Sequence, residues 1–229
     1  MKTIGVLGGL GPQATMDFES RVHRVAQRLI PPSGNAGYPP MVVYYYRFVP
    51  FVATEDGSRI LPLRPDPRLV DAAAKIGGMA DFVVIASNFL HVFRAEIEQA
   101  AGCEVLSMIE VTLAEVGLRA WDRVGVLGFG DPVIYTAPLT AMGLASETIA
   151  GGLRTRLDGA IHRVMEGRED EDAARTAHEA VSELRARRVD GIILGCTEVP
   201  LLLGDEGDAD DLLNPLQLLA EASVNHAIR

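Results

Sequence analysis

The chain has 229 residues, enough for one large domain or two small ones. Its hydrophobic content of 48% and charged content of 23% are typical of an ordinary globular protein. The net charge of −10, without a prominent Lys/Arg cluster, argues against nucleic-acid and anionic-membrane partners. The two cysteines, Cys103 and Cys196, provide neither a disulfide framework nor a zinc quartet. No apolar run reaches membrane-spanning length, and the first residues predict a strand rather than a signal peptide. We therefore expect a reducing, cytoplasmic location.

Strands and helices alternate along the chain, which predicts parallel sheets covered by helices. A long polar and proline-rich stretch at residues 50–67 exceeds a simple connector, so we expect it to be functional or mobile. Strands are predicted at residues 3–8, 41–46, 82–86, 104–108, 123–127, 146–149 and 190–196. Helices are predicted at residues 16–29, 69–79, 88–100, 111–120, from about 138, at 153–166, 171–187 and 216–227.

The two halves of the sequence resemble each other in three places that occur in the same order. The repeat predicts two pseudo-symmetric α/β domains, each with a mainly parallel sheet flanked by helices. Their expected limits are 1–109 plus 214–229 for the first domain and 110–213 for the second. Equivalent strand ends would then lie on opposite walls of one cleft, which we expect to hold the active site. The matching segments are 5–8 with 125–128, 81–87 with 190–196, and 104–107 with 211–214.

Cys196 is the first candidate for catalysis, because it follows a predicted buried strand. Ligands of open α/β folds bind beyond the carboxyl ends of such strands. A thiol with an ordinary pKa of about 8.5 ionises readily beside a helix N-terminus, and a helix is expected to begin here. Thr197 can hydrogen-bond at this position, and Glu198 can cap the backbone or hold an ammonium group. From the residue alone, a buried structural cysteine is the alternative.

Ser87 occupies the position that the repeat pairs with Cys196. Its hydroxyl is a poor base unless a neighbour accepts its proton. His91 comes four residues later and can lie one helical turn below, although the pattern favours an ordinary helical histidine. Asn88 is either a donor to a substrate carboxylate or an N-cap.

A glycine-rich turn follows the first strand and includes Gly9, Leu10 and Gly11. It fits a dinucleotide-binding pattern, but the second predicted strand lacks the acidic residue that would hold a ribose. We therefore expect the backbone N–H groups of the turn to receive a carboxylate.

Three motifs together resemble the aspartate/glutamate racemase family over nearly the whole chain. They are Gly8-Gly9-Leu10-Gly11-Pro12-x-Ala14-Thr15, Ser87-Asn88-x-x-His91 and Gly195-Cys196-Thr197-Glu198-x-Pro200. The resemblance implies two α/β domains with the active site between them, no cofactor and no metal, and commonly a homodimer. It also implies two cysteines that remove and return the α-proton of an acidic amino acid from opposite faces. Cys196 matches the second of these cysteines, whereas the first falls on Ser87.

Other positions also depart from the family pattern. An arginine expected two residues after Pro50 is Val52, so Arg47 is a candidate replacement from a different position. Phe89 replaces a small polar residue beside the first catalytic position and suits a less polar substrate. The turn after the fifth strand contains Phe129 and few hydroxyls, and the aspartate usual before the last helix is Asn214.

Three functions stay open on this evidence. The first is a cofactor-independent racemase or epimerase of an amino acid or related carboxylate, with Cys196 and Ser87 as the catalytic pair. The second is a one-cysteine decarboxylase or isomerase similar to arylmalonate decarboxylase. The third is a catalytically silent protein that binds a small carboxylate. The residues expected to contact the substrate are Gly9, Leu10, Gly11, Arg47, Asn88, Phe89, Thr197 and Glu198.

Overall fold

The computed structural model describes residues 1–55 and 58–229, which form two compact units. Unit 1 contains Met1–Ser107 and Leu219–Arg229, and unit 2 contains Met108–Leu218. Each unit has a four-stranded parallel sheet flanked by helices, which confirms the predicted α/β class. No helix among the described residues is long and apolar enough to cross a membrane.

The elements of unit 1 follow one another as a strand–helix alternation. They are β1 (Ile4–Gly8), α1 (Pro12–Leu29), β2 (Met41–Tyr45), α2 (Pro67–Gly77), β3 (Phe82–Ile85), a 3-10 helix (Phe89–Phe93), α3 (Arg94–Ala101) and β4 (Val105–Leu106). Two helices begin with proline at their first position, where the missing N–H costs no hydrogen bond. Asp66 caps α2 by accepting a hydrogen bond from the backbone N–H of Arg68 at 2.8 Å.

Unit 2 repeats this alternation, with two helices instead of one between its second and third strands. Its elements are α4 (Met108–Leu118), β5 (Arg123–Leu127), α5 (Val133–Ala141), β6 (Ala145–Thr148), α6 (Gly151–Met165), α7 (Glu171–Ala186), β7 (Gly191–Leu194), α8 (Val199–Leu203), a second 3-10 helix (Gly204–Asp208) and β8 (Leu212–Leu213). The last helix, α9 (Pro215–Ala227), begins in unit 2 and ends in unit 1.

The two sheets have the same topology, as the internal repeat predicts. Their strand orders are β2-β1-β3-β4 and β6-β5-β7-β8, and every described pairing within these two sheets is parallel. The central strands β3 and β7 are buried throughout. Ser87 and Cys196 each come two residues after the end of their central strand. The sequence alignment of these residues therefore corresponds to equivalent places in two equivalent sheets.

The aspartates that open the repeated segment secure the amino ends of neighbouring strands. Asp81 Oδ2 accepts a hydrogen bond from the backbone N–H of Thr3 at 2.6 Å. Asp190 Oδ2 accepts from the backbone N–H groups of Asp122 and Arg123, both at 2.8 Å. Because these carboxylates lie at the opposite end of each strand from Ser87 or Cys196, their recurrence has a structural origin.

The long stretch after β2 folds back on itself as an antiparallel pair, which we call the 51–65 hairpin. Phe51 pairs with Pro65, and Ala53 pairs with Arg59. The backbone N–H of Val52 donates to the carbonyl of Arg64 at 2.9 Å. The expectation of a functional or mobile segment includes residues 56 and 57, which lie outside the described residues.

Several predicted boundaries were wrong where two elements meet closely. A helix was expected from Asn88, but a 3-10 helix occupies Phe89–Phe93 and α3 begins only at Arg94. The strand expected at 104–108 has two residues, because α4 already begins at Met108. Pro138 was expected near the start of a helix but lies inside α5. A proline within the short helix removes one backbone donor without ending the helix.

Candidate active site

Cys196 lies in the turn between β7 and α8, at the carboxyl end of a buried strand. Its Sγ donates a hydrogen bond to Glu198 Oε2 at 3.1 Å. Thr197 Oγ1 donates to the same oxygen at 2.9 Å. Glu198 is only 4% exposed, so its carboxyl group is fixed beneath the turn rather than left in solvent. These three consecutive residues form one hydrogen-bonded unit.

The pKa of the Cys196 thiol is raised well above its ordinary value. Burial is the main cause, because the packed protein atoms around the thiol disfavour a charge even though part of the residue reaches solvent. The negative charge and the hydrogen bond of Glu198 raise the pKa further, whereas backbone N–H groups of Glu198 and Phe129 lower it. The expected thiolate at a helix N-terminus was therefore wrong. The following helix has only five residues, and the resting thiol is protonated at neutral pH.

Gly195 fixes the position of Cys196, because there is no room for a side chain at position 195. A Cβ at this position would lie 2.9 Å from the carbonyl oxygen of Leu127 and 3.1 Å from the ring of Tyr135. Tyr135 is fully buried, as expected for a core residue, and cannot move aside without opening the core. The strand end thus approaches its neighbours closely enough to hold the thiol in one place.

Ser87 occupies the equivalent turn after β3 and is partly buried. Its carbonyl oxygen is 2.8 Å from Nδ1 of His91, and a carbonyl only accepts, so Nδ1 carries the proton in this bond. Burial lowers the pKa of His91 to about 4, which keeps the imidazole neutral at pH 7. His91 therefore holds the backbone of the turn. Among the described residues, no base accepts a hydrogen bond from the Ser87 hydroxyl.

Asn88 and Phe89 continue this turn into the 3-10 helix. Asn88 is 6% exposed and is the N-cap residue, but its side chain forms no capping hydrogen bond. The Phe89 ring contacts Phe51 and Phe93 edge to face, at centroid distances of 6.0 Å and 6.3 Å. The guanidinium of Arg59 lies over the same ring. The Arg59 cation therefore lies beside the ring that was expected to suit a less polar substrate.

The glycine-rich turn is closed by its own helix. The N–H of Gly9 donates to Thr15 Oγ1 at 2.9 Å, and Gly9 adopts a φ of +93° that favours glycine. This donor is therefore occupied, contrary to the expectation that Gly9 receives a carboxylate. Leu10 is partly buried, and Gly11 accepts from Thr15 through its carbonyl oxygen. Arg47 Nη1 donates to the carbonyl of Gly9 at 3.0 Å, so this arginine supports the turn.

The equivalent turn of unit 2 is held by α6. The N–H of Gly130 donates to Asp158 Oδ1 at 2.8 Å, and the ring of Phe129 contacts His162 edge to face at 5.0 Å. Arg154 donates to the carbonyl of Ile149 at 3.1 Å. The Phe129 N–H is directed to Cys196, whereas its counterpart in unit 1, the Gly9 N–H, is directed to Thr15. The two turns are equivalent in sequence position, but their backbone N–H groups donate hydrogen bonds to different residues.

Asn214 precedes α9 at the end of β8 and is 6% exposed. Its Oδ1 accepts from the backbone N–H of Leu216 at 3.1 Å, and its buried Nδ2 has no hydrogen-bond partner among the described residues. No group of three His, Cys, Asp or Glu side chains in the described ranges is arranged to hold a metal ion.

Comparison with known proteins identifies the family. The family model described as Asp/Glu/Hydantoin racemase matches residues 7–222. The chain belongs to this family. The broad specificity amino-acid racemase RacX of Bacillus subtilis is 33% identical over 138 residues, which cover 58% of this chain and 57% of RacX. The match thus spans little more than half of that curated relative.

Solved structures share the fold along the whole chain. The aspartate racemase of Picrophilus torridus matches with a TM-score of 0.80 at 19% identity, covering 99% of this racemase-family chain and 94% of that one. An aspartate racemase homologue from Pyrococcus horikoshii OT3 matches with a TM-score of 0.76 at 18% identity, with full coverage of both chains. At these identities the likeness concerns the fold alone.

Two contacts beside these turns were missed from the sequence, those of Thr15 and Arg59. Thr15 was part of a predicted motif, but nothing in the sequence indicated that its hydroxyl would accept a hydrogen bond from the Gly9 N–H. Arg59 lies in the 51–65 hairpin, whose return toward Phe89 no periodic pattern indicates. An arginine between two phenylalanines distant in sequence is recognisable only once the chain is folded.

Proposed function

We propose that the protein is a cofactor-independent amino-acid racemase or epimerase in which Cys196 is the principal acid and base. The observation that carries this proposal is the 3.1 Å hydrogen bond from Cys196 Sγ to Glu198 Oε2. A thiol with a raised pKa needs a nearby acceptor if it is to become a base, and the Glu198 carboxylate is that acceptor. We further propose that units 1 and 2 act as the two domains.

The proton moves in balanced steps. Glu198 takes the thiol proton of Cys196, and the resulting thiolate removes the α-proton of the substrate to leave a planar carbanion. That step restores the thiol. A proton from the opposite face completes the inversion, and Glu198 returns its proton to solvent. The transfer moves the single negative charge of the pair from the Glu198 carboxylate to the Cys196 sulfur and leaves the total charge unchanged.

Ser87 is proposed to serve the opposite face of the substrate. The hydroxyl, or a water molecule bound to it, protonates the carbanion, and solvent replaces the proton lost by the hydroxyl. This proposal requires that Ser87 and Cys196 approach one substrate from opposite sides. Because serine is a far weaker acid than a thiol, we expect the two enantiomers to react at unequal rates.

The substrate is proposed to be an amino acid or a related carboxylate. The similarity to RacX, described as a broad specificity amino-acid racemase, supports an amino-acid substrate without restricting its side chain. Asn88, Thr197, Leu10 and Gly11 are proposed to contact the substrate because each follows the carboxyl end of a strand, as Ser87 and Cys196 do. A homodimer and a cytoplasmic location stay predictions.

A second function is favoured by one specific observation, the absence of a thiol at position 87. A single protonated thiol can deliver a proton to a carbanion formed by another route, such as loss of carbon dioxide from a malonate-type acid. Such a one-cysteine decarboxylase or isomerase needs no base on the Ser87 side. The protonated resting state of Cys196 is compatible with this chemistry as well.

Chiral chromatography separates these functions. The protein is incubated with each pure enantiomer of aspartate, glutamate and several neutral amino acids, and with a malonate-type acid. Appearance of the opposite enantiomer, lost in Cys196→Ala and retained in Cys103→Ala, supports racemisation. Decarboxylation without racemisation supports the second function. Binding of these acids without any turnover contradicts both and supports a silent carboxylate-binding protein.

A further inference from the structure

The turn after β5 supplies a backbone donor to the thiol of the candidate site. The N–H of Phe129 is directed to Cys196, although the two residues lie in separate segments of the sequence. A Cβ placed on Gly128 would lie 3.7 Å from the carbonyl oxygen of Gly195, so the backbone of this turn adjoins the residue before the cysteine. An N–H donor stabilises a thiolate, because it places a partial positive charge beside the sulfur. The donor therefore favours the ionised form of Cys196.

The turn itself contains little that would fix its conformation. Phe129 stands between Gly128 and Gly130, and Gly130 adopts a φ of +61°. Glycine loses more conformational freedom on folding than other residues, so a turn with two glycines needs contacts that hold it. The Phe129 residue is 45% exposed, and burial therefore does not hold the turn. The position of the Phe129 N–H depends on what binds the turn from another element.

Helix α6 binds the turn through two side chains that are one helical turn apart. Asp158 Oδ1 accepts a hydrogen bond from the backbone N–H of Gly130 at 2.8 Å. The ring of His162 contacts the ring of Phe129 edge to face, at a centroid distance of 5.0 Å. Residues four apart are neighbours on one face of a helix, so this face of α6 holds both the backbone and the side chain of the turn.

Helix α6 is in turn packed firmly against the sheet of unit 2. Leu157 and Ile161 are fully buried in a hydrophobic cluster that also contains Leu127 and Leu194. Leu127 is the last residue of β5, and Leu194 is the last residue of β7. The helix that holds the turn is thus packed against the two strands that lead to the turn and to Cys196.

The corresponding turn of unit 1 is held in a different way. There the hydroxyl of Thr15, on the helix that follows the turn, accepts a hydrogen bond from the N–H of Gly9. The repeat places Tyr135 at the position of Thr15, and Tyr135 is fully buried in the core. In unit 2 a carboxylate from a different helix, that of Asp158, holds the turn instead, and it binds the residue after Phe129.

We propose that Asp158 is a positioning residue whose carboxylate fixes the turn after β5 and thereby keeps the Phe129 N–H directed to the Cys196 sulfur. The inference rests on the proposed function, because it concerns the thiol of the same site. When Glu198 takes the thiol proton, negative charge moves to the sulfur, and the Phe129 N–H stabilises it there. Asp158 acts through the backbone of the turn, and His162 supports the same turn through the Phe129 ring.

The pH dependence of Cys196 alkylation tests this role without any substrate. Iodoacetamide is applied to variants that also carry Cys103→Ala, so that a single thiol reacts. The midpoint of the profile reports the pKa of the thiol, and the plateau reports its access. We expect Asp158→Ala to move the midpoint upward by about one pH unit, because the thiolate loses a hydrogen bond. Loss of the Asp158 charge alone would move the midpoint downward, so the direction separates positioning from a direct charge effect.

Asp158→Asn is the rescue variant, because its amide oxygen can still accept from the Gly130 N–H. Its midpoint should lie at or below that of the parent protein. Thr155→Ala is the matched control on the same helix, where Thr155 is exposed and its hydroxyl donates to the carbonyl of Gly151. This control should leave the profile unchanged. Circular dichroism checks the fold of each variant, and Asp158→Ser takes the place of Asp158→Ala if the latter does not fold.

An Asp158→Ala midpoint equal to or below that of the parent overturns the role. An equal rise in Asp158→Asn or in Thr155→Ala overturns it as well, because the rise would then not depend on the hydrogen-bond acceptor. A changed plateau with an unchanged midpoint has the same meaning, since only access to the thiol would have changed.

The two proposals can fail separately. A raised midpoint in Asp158→Ala, in a protein that racemises no amino acid, contradicts the proposed function alone. A protein that racemises through Cys196 but has the same midpoint with and without Asp158 contradicts the Asp158 role alone.

Discussion

Cys196 Sγ donates a hydrogen bond to Glu198 Oε2 at 3.1 Å, two residues further along the chain. The thiol and its proton acceptor therefore belong to one turn, fixed by the strand before it and the short helix after it. Thr197 donates to the same carboxyl oxygen and keeps it directed toward the sulfur. The raised pKa of the thiol follows in part from this local arrangement.

Replacing Glu198 with Gln should lower the pKa of the Cys196 thiol and should also lower the racemisation rate. The change removes a negative charge that raises the pKa of Cys196, so that pKa should fall. Racemisation should nevertheless fall by about 10²-fold or more, because the proton acceptor is lost. The pH dependence of thiol alkylation and the racemisation rate measure the two effects.

Glu169→Gln is the control for this variant, because Glu169 is exposed and distant in sequence from the turn. It should change neither the alkylation profile nor the rate. Full activity in Glu198→Gln would show that another group accepts the thiol proton.

Replacing Ser87 with Cys should make the two directions of racemisation more equal. The variant supplies a thiol at the position equivalent to Cys196, in a sheet of the same topology. We expect the slower direction to gain more than the faster one, because a thiol is the better acid and base. Initial rates from each pure enantiomer measure the ratio, with Ser87→Ala as the comparison. An unchanged ratio in both variants would remove Ser87 from the mechanism.

Replacing Gly195 with Ala should destabilise the protein and displace Cys196. The added Cβ would meet the Leu127 carbonyl at 2.9 Å and the buried Tyr135 ring at 3.1 Å. Overpacking of this kind costs about 1–3 kcal/mol of unfolding free energy. Urea unfolding measures the cost.

Gly159→Ala is the control, and we expect it to raise the unfolding free energy measured with urea, opposite to the effect of Gly195→Ala. Gly159 lies in α6, and a Cβ there would meet nothing within 4 Å. Because a glycine in a helix interior loses more conformational freedom on folding than alanine, the replacement should stabilise the protein by about 0.5–1 kcal/mol. A neutral Gly195→Ala would mean that the β7 end is less tightly packed than described.

Arg185 should account for part of the loss of stability in acid. Its hydrogen bonds lower the pKa values of Asp211 and Glu206, and both carboxyl groups are partly exposed. A lowered pKa stabilises the folded state above the unfolded value, which is about 4, and this stabilisation is lost as the pH falls through the folded value. In Arg185→Gln the melting temperature should be lower at pH 7 and should fall less between pH 5 and about pH 3.

Arg175→Gln is a suitable comparison for Arg185→Gln. Arg175 is on the same helix and pairs with Asp172, but this pair is more exposed. Exposed pairs contribute little to stability, so the acid dependence should resemble that of the wild type. Parallel acid profiles for Arg185→Gln and the wild type would contradict the assignment.

The topology could be predicted from the sequence because it depends on short repeated segments. Gly5–Gly8 and Gly125–Leu127 form central parts of β1 and β5, and the segments ending at Ser87 and Cys196 form β3 and β7. Local apolar runs determine such strands, and alternation with helices determines that they are parallel.

The protonation of Cys196 and the side-chain contacts of the site could not be predicted from local sequence patterns. The thiolate expected at Cys196 was wrong because burial and the Glu198 charge outweigh the backbone N–H groups of a short turn. The Gly9 donor and the Phe89 ring are occupied by Thr15 and Arg59, whose contacts arise only in the folded chain. Charge and hydrogen bonding at a site depend on neighbours distant in sequence.

The exchange of the substrate α-proton in deuterated water tests the central claim most directly. Proton NMR follows the α-signal of each enantiomer of aspartate and glutamate with the wild-type protein, Cys196→Ala and Cys103→Ala. We expect loss of the signal with at least one of these amino acids in the wild type and in Cys103→Ala, and a persistent signal in Cys196→Ala. Exchange that continues at the wild-type rate in Cys196→Ala would contradict the assignment of Cys196 as the principal acid and base.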